Sequence, residues 1–173
     1  LLKNMVKDFA VNEIKPLAQK IDTNMEFPKE SISKMADLGL MGIPWKEEYG
    51  GTGMDTMALV IAIEEIGKVC ASTAATMMAH TSLGTGPIAY FGTDEQKEKY
   101  LKKLASGKMI GAFGLTEPGA GSDAGNTKTT AIKKDDKFII NGQKVFCTNA
   151  GVAGTIIFTA RIIENEVDKG IGA

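Results

Sequence analysis

Leu115-Thr116-Glu117-Pro118-Gly119-Ala120-Gly121-Ser122-Asp123 is a turn written into the sequence. Pro118 fixes one backbone angle, and Gly119 and Gly121 permit conformations that a Cβ forbids. Such a turn can direct several backbone N–H groups at one point, with the Thr116 and Ser122 hydroxyls beside them. That suits an anion or a polar ring edge. Downstream, Asn141-Gly142 signals a second turn, and Val145-Phe146-Cys147-Thr148-Asn149-Ala150 after it reads as a strand. A strand's period of two puts Phe146 and Thr148 on one face and Cys147 on the other, so one flat ring stands beside one hydroxyl. Ring, hydroxyl and Gly-rich loop together form a cradle for a flat, phosphorylated cofactor. Taken alone, the loop also suits a plain tight connection between a helix and a strand, because Pro, Gly, Ser and Asp favour turns for local reasons.

The loop lies just past a change in the chain's character near residue 110. Before it the apolar period is helical. Leu2, Met5, Val6, Phe9, Glu13 and Leu17 mark an amphipathic first helix that Pro16 should kink or interrupt. Pro28 suits a first helical position and Gly39 a C-terminal cap, giving a helix over Lys29–Leu38. Asp55 can cap a helix from Thr56 to about Val69 that is apolar on most sides and so central to a bundle. Ala71–Leu83 is rich in Ala, Ser, Thr and Met, which allow close helix approach or line an adaptable cavity. Thr93 with Gln96 is a capping box that opens a helix ending at Gly107. After residue 110, Met109–Leu115, Lys128–Lys133, Phe138–Asn141, Lys144–Asn149 and Thr155–Ile163 are short β-branched or aromatic runs between turn signals. Helices followed by strands give an α+β chain: an all-α bundle over residues 1–109, then an antiparallel sheet or barrel over 110–173.

Bulk properties narrow the function classes. The chain has 173 residues, 43% hydrophobic and 24% charged, with a net charge of −1. A near-neutral balance supplies no long-range field for nucleic acid or anionic lipid. Lys97, Lys99, Lys102 and Lys103 share their helix with Asp94, Glu95 and Glu98, which reads as a solvated face. No apolar run is long enough to span a bilayer. Cys70 and Cys147 have no metal or disulfide spacing, and His80, the only histidine, has no ligand motif around it and reads as a packing residue. A reducing compartment, the bacterial cytoplasm, fits this cysteine usage.

The T-E-P-G-A-G-S-D string, the T-N-A string about thirty residues later, and Ile43-Pro44 before Glu47-Glu48-Tyr49-Gly50-Gly51-Thr52-Gly53 resemble the acyl-CoA dehydrogenases, closest to the bacterial short-chain, butyryl-CoA type. These FAD flavoenzymes introduce an α,β double bond into acyl-CoA thioesters. The resemblance implies the N-terminal helical domain plus the first, flavin-binding half of the middle β-barrel, with a C-terminal four-helix domain absent. It implies that Phe113 to Ser122 runs along the pyrimidine side of the flavin, that the Leu115 backbone and Thr116 meet its polar edge, and that Gly121 lets the backbone approach closely. Ser122 would reach the pyrophosphate or the CoA. Phe146 would lie over the ring, the Cys147 backbone would run near it, and Thr148 would donate near N5. Thr76–Leu83, with Ala79 and Leu83, would follow the acyl chain. Phe113 stands where a Tyr is frequent and Phe146 where a Trp is frequent, so two polar donors are missing.

The catalytic carboxylate belongs, by the same resemblance, to the C-terminal domain, so no catalytic residue is assigned here, although Glu117 is tempting. The expected partners are acyl-CoA, an electron-transfer flavoprotein and further copies of the chain in a tetramer. An acyl-CoA oxidase, an enoyl-CoA reductase running the chemistry backwards, and a non-catalytic module that keeps the fold are the alternatives. Residues 1–173 by themselves are expected to bind neither FAD nor acyl-CoA tightly.

Overall fold

The helical half follows its sequence signals closely. The computed structural model describes residues 1–173, with α1 (Leu2–Phe9), α2 (Lys15–Asn24), α3 (Lys29–Asp37), α4 (Thr56–Gly67), α5 (Ala71–Met78), α6 (Gly86–Phe91), α7 (Asp94–Gln96) and α8 (Lys102–Ala105). Asp55 caps α4 by accepting from Ala58 N at 2.8 Å. Gly39 closes α3 with a left-handed φ of 71°. Thr93 and Gln96 form the expected capping box, which satisfies two N-terminal donors at once. Pro28 sits one place earlier than expected, as the N-cap of α3.

Pro16 interrupts the regular α-helix, as expected, and falls in the first turn of α2. Ala10–Ile14 is a π turn that carries α1 into α2, and a second π turn, Ala79–Thr85, carries α5 into α6 just ahead of Pro87. A proline lacks an N–H and crowds the carbonyl four residues back. Widening the helix by one residue before the ring relieves that crowding while the backbone stays helical.

Val6, Ala10 and Ile14 pack with Ile32, Met35, Leu40, Met41, Ile43, Leu59, Ala62, Ile66, Ala74 and Met77 in the main core. The helix α4 contributes its Leu59–Ala62–Ile66 stripe and leaves Met57 and Val60 exposed, so it is central on one side only. A smaller cluster of Trp45, Ile88, Leu101, Leu104 and Ala105 fills the space under α6 and α8.

The strands are β1 (Gly111–Gly114), β2 (Thr130–Lys134), β3 (Lys137–Asn141), β4 (Thr155–Phe158), β5 (Ala160–Glu164) and β6 (Val167–Gly172). They form a pair, β1–β4, and a sheet in the order β3-β2-β5-β6, and neither closes. The expected antiparallel arrangement needs correction. The hairpins β2–β3 and β5–β6 are antiparallel, but β1–β4 and β2–β5 run parallel. Both parallel pairs join strands separated by long excursions, which give the chain room to return in the same direction. The run Thr155–Ile163 is also two strands. It breaks at Thr159, whose N–H reaches Gly114 O at 3.1 Å, and β5 then leaves for the other sheet.

The helical and β halves meet backbone to backbone. A Cβ on Gly84 would run into the Gly111 carbonyl carbon, and would stand 2.7 Å from Ala112 N. The imidazole of His80 spans the same seam: its Nδ1 accepts from Gly111 N at 2.9 Å, and its Nε2 donates to Leu104 O at 3.1 Å. Burial holds its pKa down at about 4, against the opposing pull of the Leu104 carbonyl, so the ring is neutral. The packing role read from the sequence is correct, with a polar function added.

Candidate functional site

The signature loop leaves β1 and folds on itself. Glu117 N donates to Ala120 O at 2.9 Å and Ala120 N returns to Glu117 O at 3.1 Å, which puts Pro118 and Gly119 at an exposed tip. Beneath the tip the Glu117 carboxylate is buried and fully engaged. It accepts from Lys128 N at 2.6 Å, Thr129 N at 3.1 Å, Thr127 Oγ1 at 3.3 Å and Lys144 Nζ at 2.7 Å. Burial alone would raise its pKa, but Lys144, Thr129 and Lys128 outweigh burial and hold it far below the usual carboxylate range. Glu117 is therefore a fixed anion rather than a proton acceptor.

Lys144 is the other half of this arrangement. Its ammonium also reaches Leu115 O at 3.0 Å and Thr159 Oγ1 at 3.1 Å. Together with Val145 N to Thr116 O at 2.8 Å, these bonds fasten the second motif to the first. The sequence reading missed Lys144, Thr127, Thr129 and Thr159. Only the opposite charges of Glu117 and Lys144 hinted at the pair, and no local spacing connects them.

The second motif is not a strand. Lys144–Asn149 is irregular, with Phe146 at φ 55° and Asn149 at φ 72°. The side-chain alternation expected for Phe146, Cys147 and Thr148 is thereby lost. The left-handed region is costly for a bulky residue, and here it turns a ring outward that is 92% exposed. Thr148 is also exposed, at the corner of a turn closed by Ala150 N to Cys147 O at 3.1 Å. The Cys147 side chain is partly buried, and burial pushes its thiol pKa up. Ring and hydroxyl still project from one short segment, by turn geometry instead of strand period.

The other expected residues divide. Leu115, Gly121 and Ser122 are exposed along the loop, Thr116 is half-buried, and Phe113 is half-buried in β1 opposite Ile157. Neither Gly119 nor Gly121 has a positive φ, and a Cβ on either would meet nothing within 4 Å. The turn is held by the Glu117–Ala120 pair, so the conformational need for glycine read from the sequence is not there. What the two glycines leave is an open face. On the helical side, Leu83 and Met78 are exposed, whereas Ala79 and Met77 are buried in the helix interface. No group of His, Cys, Asp or Glu side chains is placed to hold a metal ion. No helix is long and apolar enough to cross a membrane.

Residues 1–108 match the family model for the acyl-CoA dehydrogenase N-terminal domain, and residues 112–172 match the one for the middle domain. The chain belongs to the acyl-CoA dehydrogenase family. It is 52% identical over 171 residues to a probable acyl-CoA dehydrogenase of Bacillus subtilis, a match over 99% of this chain and 45% of that protein. It is 49% identical over 173 residues to the short-chain specific acyl-CoA dehydrogenase of Clostridium acetobutylicum, covering 100% and 46%. A 3-(aryl)acrylate reductase of Clostridium sporogenes is 44% identical over 171 residues, covering 99% and 45%. The chain thus spans less than half the length of these acyl-CoA dehydrogenase relatives. Among solved structures, butyryl-CoA dehydrogenase from Megasphaera elsdenii superposes with a TM-score of 0.88 at 40% identity, over 92% of this chain and 43% of that one. An acyl-CoA dehydrogenase from Bacillus anthracis complexed with FAD gives 0.87 at 37%, over 93% and 28%. A chain in a structure described as the electron transferring flavoprotein of Acidaminococcus fermentans gives 0.89 at 44%, over 92% and 42%.

Proposed function

We propose that the full-length protein uses FAD to dehydrogenate short-chain acyl-CoA thioesters between Cα and Cβ and passes the electrons to an electron-transfer flavoprotein. The observation that carries this reading is the pair of fastened loops. An exposed ring on a left-handed backbone and an exposed hydroxyl stand beside an open, Gly-containing turn. An outward aromatic plane and open backbone fit a flat, phosphorylated cofactor. The kinship with a short-chain enzyme and with an FAD complex supports the same choice of substrate and cofactor.

Bound FAD supplies a two-electron acceptor that this chain's side chains lack. Phe146 and Phe113 offer apolar surface for the ring, and Leu115, Thr116 and Cys147 offer backbone and hydroxyl groups at its polar edge. Ser122 and the open backbone at Gly121 suit the pyrophosphate. The Thr148 hydroxyl is a donor for negative charge that develops on a neighbouring ring, and preorganised donors of this kind act chiefly on the reacting state. Leu83 and Met78 are the exposed apolar groups on the acyl side; Ala79, expected there too, is buried within the chain. Proton removal from Cα falls to a carboxylate other than Glu117, which is committed to Lys144.

A second reading, reduction of an α,β double bond by the same family, is favoured by the kinship with a 3-(aryl)acrylate reductase. Purified full-length protein distinguishes the two. Bleaching of the flavin band by butyryl-CoA, with slow reoxidation by O₂ and fast reoxidation by electron-transfer flavoprotein, is the expected result. A flavin that butyryl-CoA leaves oxidised, while the reduced protein consumes crotonyl-CoA, would give the reductase reading the field. Fast reoxidation by O₂ would make it an oxidase. Light scattering checks the tetramer that the resemblance implies, and cell fractionation the cytoplasmic location that the cysteine usage fits.

A further inference from the structure

Asn149 belongs to the T-N-A string, yet none of the roles above uses its side chain. Its Nδ2 lies 3.1 Å from Thr76 O and 3.2 Å from Gly111 O. Both partners are carbonyls and can only accept, so the amide must turn its NH₂ toward them. One side chain therefore joins helix α5, strand β1 and the turn Cys147–Ala150. Thr148 and Asn149 are the two central residues of that turn, and a positive φ at the second of them is what a type II turn requires. Asparagine tolerates this conformation better than other residues with a side chain.

We propose that Asn149 is the positioning residue for Thr148, fixing its hydroxyl toward the flavin by tying the turn to α5 and β1. This rests on the flavin reading given above. Lys144 fastens the other end of the segment to Glu117 and Leu115, so Phe146 and Thr148 project from a stretch held at both ends. Thr76 lies two residues before Met78 on α5, so the same amide sets the spacing between the acyl-side helix and the flavin-side hydroxyl.

The test uses the full-length holoenzyme. Asn149→Gly keeps the left-handed backbone and removes both donors. Asn149→Asp keeps the shape but turns a carboxylate onto two carbonyls, and it carries the test alone if the glycine variant does not fold. Flavin reduction by butyryl-CoA should slow about tenfold in the glycine variant and further in the aspartate one, with KM within about twofold of wild type. The visible flavin band should shift, and amide exchange across residues 147–152 of the flavin-free protein should quicken while β2–β3 is unchanged. Wild-type reduction rates and spectra in both variants would overturn the proposal. So would a lowered melting temperature with an unchanged band and rate, which is what a merely structural tether would give. A colourless wild-type protein would sink the flavin reading itself, and this role with it, before any variant is compared.

Discussion

Single side chains at this site divide into those that are presented and those that hold. Thr148 is presented: it is exposed at a turn corner and makes no bond within the chain that would be lost on substitution. Thr148→Val should therefore leave the melting temperature of the full-length protein nearly unchanged. A hydrogen bond to a charged group is worth about 1.5–3 kcal/mol, so flavin reduction should slow by roughly ten- to a hundredfold. Stopped-flow reduction beside a thermal melt checks both halves, and unchanged kinetics would mean that Thr148 faces away from the reacting edge. Lys144 holds. Its side chain is 12% exposed and that of Glu117 4%, so Lys144→Met strands a buried carboxylate. Breaking a buried pair in this way costs about 3–5 kcal/mol. Glu117→Gln added to Lys144→Met should recover a large part of that loss. A double-mutant cycle by denaturant unfolding measures the coupling, and additive losses would show that the two side chains do not depend on each other.

Elements were legible where their signals are local. The Asp55 cap, the Gly39 stop and the Thr93–Gln96 box each depend on residues a few positions apart, and each formed as its spacing dictates. The second motif was misread as a strand because Val145, Phe146 and Thr148 have strand-like side chains. Long-range bonds from Lys144 to Glu117 and from Asn149 to Thr76 and Gly111 overrode that propensity. The long π turn Ala79–Thr85 was likewise invisible, although Pro87 behind it now explains it. That turn brings Gly84 onto Gly111, and the contact sets how β1 meets the helices. Gly84→Ala drives a methyl into immobile backbone and should cost about 1–3 kcal/mol, with Gly84→Val worse. Thermal melting of the full-length protein is the measurement, and a neutral alanine variant would mean that the two backbones separate freely.

For the whole molecule, composition and period conveyed a helical half followed by a β half, but not how the halves join. The junction rests on His80, an isolated residue that carried no motif. Gly111 N–H points at Nδ1 and needs its lone pair, while Nε2–H serves Leu104 O, so only the neutral ring satisfies both partners. Its pKa is pushed down from 6.5 to about 4 by burial. Above pH 6.5 the ring is neutral whether the chain is folded or not, and its contribution to stability is complete. Between pH 6.5 and 4 the unfolded chain takes up a proton that the folded one refuses, so stability falls by about 3 kcal/mol across that window. Glu117, held far below the usual range, adds its own loss only lower, once pH falls beneath the ordinary carboxylate pKa. The interval from pH 6.5 to 5 thus isolates the histidine. His80→Gln, whose amide can accept from Gly111 and donate to Leu104, should be less stable at neutral pH yet lose the slope in that interval. Urea unfolding at half-unit pH steps reads it directly, and the same slope in wild type and variant would move the acid sensitivity away from this seam.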